Sequence, residues 1–162
     1  MDFQTPDWCC DLMCSMLLTS DRPLGPTVLE PTPGEGNLVR AVARAMPDAV
    51  VTAPDDFWEL PTGSRFDYIV MNPPFSPMKV GYQVLARCMT MSDRIIALMP
   101  WLVLINSVRR TASLQEFGLR AVHHLPRTTF HGSRVQCCIL DMDRRYGPWD
   151  TTTLYFEDDP TR

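Results

Sequence analysis

The residues with the clearest chemical capability follow a short apolar run. Residues 68–71 are typical of a buried strand, and they lead directly into Asn72-Pro73-Pro74-Phe75. Neither proline can donate a backbone N–H, and residues before proline avoid helical geometry, so a stiff loop is predicted at the strand's carboxyl end. Ligands of open α/β sheets bind at such ends. The Asn72 amide oxygen and a neighbouring carbonyl could accept hydrogen bonds from an amino group there, while the Phe75 ring could stack on a flat heterocycle. The alternative is a proline-rich turn with a surface asparagine.

A glycine-rich loop forms the second candidate site. A short strand begins at Thr27, and Glu30-Pro31-Thr32-Pro33-Gly34-Glu35-Gly36 leads from it into a helix predicted over 37–46. Glycine tolerates positive φ and lets a ligand approach the backbone closely. The free N–H groups at the start of the helix could bind a carboxylate. The alternative is a strand–helix turn that is rich in glycine without binding anything.

Helices and strands that could position these residues alternate along the chain. Thr5 is predicted as the N-cap and Pro6 as the first residue of an opening helix with one apolar stripe. Further helices are predicted over residues 81–91 and 106–118, and strands over 48–53, 93–99, 121–125, 135–142 and 151–156. The apolar run 93–99 is typical of a parallel strand that is buried on both faces.

Composition narrows the class of protein. The 162 residues, of which 45% are hydrophobic and 21% charged, predict a single globular domain over 1–162. No apolar run reaches the roughly 18 residues that a membrane span needs. The six cysteines show no C-x-x-C spacing, so we expect no metal site. Their adjacent pairs predict buried, reduced thiols in a helix and a strand, and hence an intracellular compartment.

Charge is distributed unevenly along the chain. Residues 1–78 hold four basic and eleven acidic residues, whereas residues 79–145 hold ten basic and four acidic ones. A cationic middle segment favours nucleic-acid binding although the formal net charge is −4. The residues predicted to contact a nucleic-acid backbone are Lys79, Arg109, Arg110, Arg127 and Arg134. The alternative is that these side chains are scattered over solvated faces.

The motifs in this order resemble those of the S-adenosylmethionine-dependent N6-adenine DNA methyltransferases, amino-methyltransferases with an Asn-Pro-Pro-Phe motif. The resemblance spans roughly residues 3–142: a Thr-Pro segment before a helix, the glycine loop, the Asn-Pro-Pro-Phe loop and an aromatic residue in a late loop. It implies a Rossmann-like class I methyltransferase fold of the α/β class. Its central sheet should be mostly parallel with an antiparallel C-terminal strand.

The resemblance also assigns roles to residues. The catalytic segment would be Asn72, Pro73, Pro74 and Phe75, and the target base would stack between Phe75 and Phe130. Residues implied in binding the cofactor S-adenosyl-L-methionine are Phe3, Thr5, Pro6, Glu30, Pro31, Thr32, Gly34, Gly36, Asp55, Asp56, Phe57 and Asn72. Two alternatives stay open. The Asp55/Asp56 pair could be a helix N-cap, and Phe130 could be a loop anchor packed on the core.

The chain departs from the family on the cofactor side. Members normally have a second strand ending in an acid that holds the ribose hydroxyls, then a helix and a third strand leading to a second acidic motif. About 33 residues separate Gly34 from Asp67, which is too few for all of these. We therefore expect a fold shortened by one strand–helix unit. The ribose acid would be missing or supplied by the Asp55/Asp56 pair.

The function implied is methyl transfer to the N6 amino group of adenine in DNA, on a base flipped into the site. Two alternatives remain: a methyltransferase acting on RNA or a protein glutamine, and a non-catalytic methyltransferase-like binding subunit. Family members usually append a target-recognition domain, for which this length leaves no room, so specificity would come from a homodimer or a separate subunit. Small size suits, by analogy, a prokaryotic or phage-encoded enzyme acting in the cytoplasm.

Overall fold

The computed structural model describes residues 4–147 and 150–161, which build a seven-stranded sheet with helices on both faces. The strands are β1 (Thr27–Leu29), β2 (Val50–Thr52), β3 (Tyr68–Met71), β4 (Arg94–Pro100), β5 (Leu119–His124), β6 (Cys137–Asp143) and β7 (Thr153–Phe156). The helices are α1 (Asp7–Ser15), α2 (Asn37–Ala45), α3 (Met78–Cys88), α4 (Leu102–Ile105) and α5 (Val108–Phe117), with a single 3-10 turn at Phe57–Glu59.

The sheet has the order β2-β1-β3-β4-β6-β5-β7. Strand β6 runs antiparallel to both of its neighbours, whereas the pairs that do not include β6 are parallel. The predicted mostly parallel sheet with an antiparallel strand in the C-terminal part is therefore confirmed, although the antiparallel strand is β6 and the last strand, β7, is parallel to β5. Every strand except β6 ends at the same edge, which we call the carboxyl edge, and the opposite one is the amino edge.

Two apolar layers hold the sheet between the helices. Alternate residues of β4 face opposite sides, so Ile95 and Ala97 pack with α3 and α5, whereas Ile96 and Leu98 pack with α1 and α2. All seven β4 residues are buried, which explains the continuous apolar run in the sequence. The predicted buried thiols are confirmed, because all six cysteines are free and buried.

Several element boundaries differ from the prediction. The helix predicted over 106–118 is α5, which begins after Ser107, whose side chain caps it by accepting a hydrogen bond from the Arg110 N–H. The four-residue helix α4 that precedes it was not predicted. Strand β4 continues through Pro100, which lies opposite Cys137. Strand β5 begins at Leu119, two residues earlier than expected, and a register irregularity separates that residue from the rest of the ladder.

The cofactor side has the expected shortened form. Between the glycine loop and β3 the chain forms only α2, the three-residue strand β2 and the single 3-10 turn. Strand β2 pairs with β1 and is the last strand on that side of the sheet. Consequently the segment that follows β2 turns directly over the carboxyl edge. None of the helices in the described ranges is long and apolar enough to cross a membrane.

The turn from α5 into β5 depends on Gly118. This residue has φ +122°, and a Cβ there would lie 2.1 Å from the Asp143 carbonyl oxygen and 2.4 Å from that of Tyr146. Both oxygens belong to the backbone, so the clash cannot be relieved by a side-chain rotation. Gly118 also accepts a hydrogen bond from the Asp143 N–H, which ties this turn to the end of β6.

We expect Gly118→Ala to lower the free energy of unfolding by more than about 3 kcal/mol, because steric overlap adds to the cost of positive φ. The measurement is urea unfolding followed by circular dichroism. Gly63→Ala is the matched control: Gly63 has φ +87°, and nothing lies within 4 Å of its Cβ position. That variant should lose only about 1–2 kcal/mol. Equal losses in both variants would contradict the steric explanation.

Candidate functional site

A cleft of about 650 Å³ opens at the carboxyl edge. Its walls come from the loops after β1, β2 and β3 and from the segment that precedes β6. The predicted site residues that line it are Thr5, Glu30, Pro31, Thr32, Gly34, Asp55, Asp56, Phe57, Asn72, Pro73, Pro74, Phe75 and Phe130. Pro6 and Gly36 are not among the lining residues, and Phe3 lies outside the described residues. Residues far apart in sequence therefore converge on one space.

Asn72 is held at both its side chain and its backbone. Its Nδ2 donates to the Thr5 hydroxyl at 2.7 Å, and its carbonyl accepts from the Thr32 hydroxyl at 3.2 Å. The prediction that Thr5 caps α1 was wrong: Pro6 occupies the N-cap position, not the first helical one, and no side chain caps the helix. The Thr5 hydroxyl is directed to the loop after β3 instead.

The Pro73-Pro74 segment packs against the first turns of α3. A Cβ at Gly81 would lie 2.9 Å from the Pro74 carbonyl oxygen and 3.4 Å from a Pro73 ring carbon. The missing side chain at Gly81 thus allows the helix to support the loop from behind. The ring of Phe75 is half-buried and packs against the α1/α2 layer while it lines the cleft.

Glu30 is a buried acid at the floor of the cleft. Its side chain is 1% exposed and accepts hydrogen bonds from the Thr32 N–H at 2.8 Å and the Thr32 hydroxyl at 3.5 Å. Burial raises the pKa of Glu30 to about 8, and the two Thr32 hydrogen bonds only partly oppose this shift. At neutral pH the carboxyl is therefore largely protonated, and it would ionise readily beside a cation.

The segment after β2 forms the third wall. Asp56 accepts from the Trp58 N–H at 2.8 Å and caps the 3-10 turn, so the N-cap alternative holds for this residue. Asp55 and Trp58 are exposed, whereas Phe57 is buried. All four residues line the cleft. An exposed acid and aromatic rings thus lie together on this wall.

Sequence reasoning missed Arg87, which holds that wall in place. Its guanidinium donates to the Phe57 and Leu60 carbonyls at 2.7 and 2.6 Å and lies 4.7 Å from the Phe57 ring centroid and 5.4 Å from that of Trp58. The planar fork suits two adjacent carbonyls at the end of a helical turn. No local pattern marks this contact, since Arg87 lies 30 residues further along the chain than Phe57.

The lining residues that sequence reasoning missed have uncharged side chains, and most of them lie beside the predicted ones in sequence. They are Gln4, Pro33, Asn37, Leu38, Pro54, Trp58, Ser76, Val80, Val84, Ser133, Val135 and Cys137. Several of them could have been found from their neighbourhood, because they flank the motifs in sequence. Val80 and Val84 could have been found only from the helical spacing that aims both at one side of α3.

Phe130 lies in the loop between β5 and β6 and is 7% exposed. Its ring packs in the α1/α2 layer and also lines the cleft. The loop is fixed from the C-terminal side, where the Thr128 hydroxyl donates to Asp159 at 2.9 Å. The loop-anchor alternative therefore describes its packing, although the residue is also among those that line the cleft.

The five predicted nucleic-acid contacts all lie on segments that leave the carboxyl edge. Lys79 is in the first turn of α3, Arg109 and Arg110 are in the first turn of α5, and Arg127 and Arg134 are in the loop after β5. Arg110 lies over the Tyr82 ring at 3.7 Å, and the other four are exposed. Among residues 4–147 and 150–161, none of the five forms an ion pair with a carboxylate.

Arginines at the amino edge are placed differently, because acids neutralise them. The pairs are Arg22–Asp48, Arg65–Asp93, Arg144–Asp93, Arg145–Asp21 and the buried Arg94–Asp141. Acids thus neutralise most arginines at the amino edge, although Arg120, near the start of β5, is exposed and forms no ion pair among the described residues. The described part of the chain holds no group of three or more His, Cys, Asp or Glu residues that could bind a metal ion.

Comparison with solved structures identifies the fold. A protein described as a modification subunit of a type I restriction enzyme from Vibrio vulnificus superposes with a TM-score of 0.73 at 17% identity, over 98% of this chain and 48% of that one. A protein described as a class I S-adenosylmethionine-dependent methyltransferase from Listeria monocytogenes superposes with a TM-score of 0.68 at 12% identity, over 98% of this chain and 68% of that one. A protein described as an RNA methyltransferase from Pyrococcus horikoshii superposes with a TM-score of 0.60 at 16% identity, over 88% of this chain and 87% of that one.

The chain has a class I methyltransferase fold. The predicted Rossmann-like architecture is thereby confirmed. This chain spans about half the length of the Vibrio subunit. No protein-family model and no curated protein matches the sequence. At these identities the likeness establishes the methyltransferase fold and leaves the chemistry to be argued from the cleft.

The raised pKa of Glu30 makes stability depend on pH. Its ordinary value is 4.5, so between about pH 4.5 and 8 the folded protein keeps a proton that the unfolded chain has released. The folded state is therefore disfavoured progressively as the pH rises through this window. We expect the free energy of unfolding to fall between pH 6 and 8.5, and Glu30→Gln to reduce that fall.

Urea unfolding of both proteins at the two pH values measures this difference. The control is Glu35→Gln, which removes an exposed acid from the same loop and should keep the wild-type pH dependence. A Glu30→Gln protein with the full wild-type dependence would show that Glu30 is not the group responsible.

Proposed function

We propose that this protein transfers a methyl group from S-adenosylmethionine to the exocyclic N6 amino group of adenine in DNA. The observation that carries the proposal is the position of Asn72-Pro73-Pro74-Phe75. This segment lies at the carboxyl end of β3, in the same cleft as the glycine loop and the acidic wall after β2. An acceptor pair suited to an amino group thus lies beside a space with the features that a charged nucleoside cofactor needs.

The cleft residues fit S-adenosylmethionine. Glu30 is a buried carboxyl with Thr32 as its hydrogen-bonding partner, and a carboxylate there would pair with the ammonium group of the methionine end. The Gly34–Gly36 loop and the N-terminus of α2 offer N–H groups to its carboxylate. Asp55 could accept from the ribose hydroxyls, and Phe57 and Trp58 could pack on the adenine ring. The bound cofactor supplies an electrophilic methyl group on a sulfonium.

The residues of this chain provide orientation and electrostatic stabilisation. The Asn72 side-chain oxygen and the Pro73 carbonyl accept the two N6 hydrogens, which localises electron density on a nitrogen that is otherwise conjugated into the ring. The same oxygens stabilise the positive charge that develops on N6 during attack. Phe75, with Phe130, would hold the flipped base by stacking. The proton leaves N6 for water after transfer, so no general base is needed.

The distribution of cations supports a nucleic acid as the carrier of the acceptor. Lys79, Arg109, Arg110, Arg127 and Arg134 lie on segments that leave the carboxyl edge, where phosphates of a strand entering the cleft could lie. A lone glutamine side chain in a protein would not need them. We further propose that sequence recognition is supplied by a second copy of this chain or by a separate subunit.

Asn72→Ala should reduce methyl transfer to background and leave the dissociation constant for S-adenosylhomocysteine within about fivefold, since one hydrogen bond at the edge of the site is worth about 1 kcal/mol or less to binding. Transfer of labelled methyl groups to single- and double-stranded DNA and to RNA, followed by mass analysis of nucleosides, identifies the product. Isothermal titration measures binding.

Gln115→Ala, which removes an exposed amide from α5, is the control and should behave as wild type. Methylated RNA alone, or methylated protein, would redirect the proposal to that acceptor. A wild-type protein that binds cofactor but methylates nothing would favour a binding subunit.

Arg127→Gln and Arg134→Gln should weaken DNA binding, and each should reduce the slope of log K against log salt by about 1, because each removes one cation that neutralises a phosphate. Fluorescence anisotropy over a salt series measures both quantities. Arg65→Gln removes a cation that is paired with Asp93 at the amino edge, so its slope should stay at the wild-type value. Equal effects of all three substitutions would indicate non-specific attraction and not a defined binding edge.

A further inference from the structure

We propose that Arg87 is a positioning residue for the cofactor: it holds the Trp58 ring at the cleft wall, and the adenine of S-adenosylmethionine packs on that ring. The inference rests on the proposed function, from which it takes the cofactor. The observations that carry it are the contacts of Arg87 with the turn after β2, namely hydrogen bonds to two carbonyls and contacts with two aromatic rings. The family resemblance assigns no role to Arg87 or to Trp58.

The two aromatic rings of this wall differ in their accessibility. Phe57 is 4% exposed and packs in the layer with α3 and α5, whereas Trp58 is 51% exposed. Both residues line the cleft, and their rings meet edge to face with the centroids 5.1 Å apart. A flat heterocycle that enters the cleft therefore finds more accessible ring surface at Trp58, and the buried Phe57 ring supports the indole from below.

A half-exposed tryptophan in a three-residue turn needs support before it can bind a ligand well. The Asp56 side chain fixes the backbone of the turn by accepting from the Trp58 N–H at 2.8 Å. The described sheet has no strand beyond β2 on this side, so no packed strand–helix unit restrains the ring. A side chain that is free to move must be ordered when the ligand arrives, and this ordering weakens binding.

Arg87 supplies the missing support from α3. Its guanidinium donates to the Phe57 and Leu60 carbonyls at 2.7 and 2.6 Å, so it binds the first carbonyl of the turn and the one that follows the turn. It also lies over both rings, 4.7 Å from the Phe57 centroid and 5.4 Å from that of Trp58. A planar cation can make all of these contacts at once, whereas a lysine ammonium cannot. The wall is therefore ordered before the cofactor binds.

This task is separate from the support of the acceptor loop. Gly81, in the first half of α3, packs behind Pro73 and Pro74, whereas Arg87 is the penultimate residue of the helix. Arg87 is not among the residues that line the cleft, so it acts on a ligand through the turn that it holds. Its removal should weaken cofactor binding and leave the transfer step largely unchanged.

The test compares Arg87→Met, which removes the planar cation, with Arg87→Lys, which keeps only the charge. Isothermal titration should show a dissociation constant for S-adenosylhomocysteine that is about tenfold higher in Arg87→Met, within the range expected for stacking of one base on an aromatic ring. Arg87→Lys should lose at least about threefold, because its ammonium cannot replace the planar fork. Adenosine, the half of the cofactor that carries the base, should show the same factors. At saturating cofactor, kcat should stay within about threefold of wild type, since Arg87 does not contact the acceptor loop.

A double-mutant cycle and a matched control separate positioning from general damage. Trp58→Ala should by itself raise the dissociation constant about tenfold, and Arg87→Met should then cost less than about threefold more. Arg144→Met is the control, because Arg144 lies 4.4 Å from the Phe117 ring centroid and donates to the Met89 carbonyl, but at the amino edge. Its affinity should equal that of wild type. Equal losses in the two arginine variants, or equal costs of Arg87→Met with and without Trp58, would overturn the inference.

A readout in the free protein keeps the inference separate from the proposed function. The indole N–H NMR signal of Trp58, assigned by its absence in Trp58→Phe, should shift in Arg87→Met and stay in place in Arg144→Met. The same spectra show whether each variant is folded, and Arg87→Lys carries the comparison if Arg87→Met is not. An unchanged indole signal would refute the support of the ring.

The two proposals fail in different ways. A wild-type protein that binds S-adenosylhomocysteine but transfers no methyl group would refute the proposed function alone. A protein that transfers methyl groups, but whose two Arg87 variants bind S-adenosylhomocysteine as wild type does, would refute the inference alone.

Discussion

The cleft depends on one constraint: the chain after β3 must leave the sheet without forming a helix while its first residue stays fixed. Two consecutive prolines prevent the helix, and the absence of a side chain at Gly81 lets α3 pack directly behind them. Asn72 is then held from the glycine loop and from the segment before α1. Three loops from distant parts of the sequence are therefore fixed by the position of a single residue.

Much of this arrangement could be predicted from local patterns. Buried strands are visible as apolar runs, and their carboxyl ends share one edge in a parallel sheet, so residues that follow such runs must meet. The glycine loop and the residues after β2 and β3 were located correctly for this reason. Helix α4 was not predicted, because four residues are too few to show a helical period.

Contacts made by polar side chains over long separations were beyond sequence reasoning. Thr5 precedes a helix and is a good capping residue by type, yet its hydroxyl bonds to Asn72. Arg87 is one arginine in an amphipathic helix, and only the folded chain reveals that it holds the turn at Phe57. In both cases the partner is selected by tertiary structure, since several local arrangements would satisfy the same side chain equally well.

Arg87 also explains how a shortened cofactor side can keep a defined shape. With β2 as the last strand on that side, the turn after it has no further strand or helix beyond it for support. The guanidinium supplies two hydrogen bonds and two ring contacts from the opposite direction, through α3. One side chain thus does part of what a strand–helix unit would do by packing.

The contrast between the two edges of the sheet has an electrical consequence. Exposed cations lie on segments that leave the carboxyl edge, most arginines at the amino edge are ion-paired, and the formal net charge is −4. A polyanion would therefore be repelled by the net charge and attracted only near those cations, within about one Debye length, roughly 8 Å at physiological ionic strength. The protein would therefore have to rotate until the cleft faces the polyanion before the two can make contact. Added salt would have two opposing effects on its rate, since it screens the distant repulsion and also weakens the local attraction that orients the cleft.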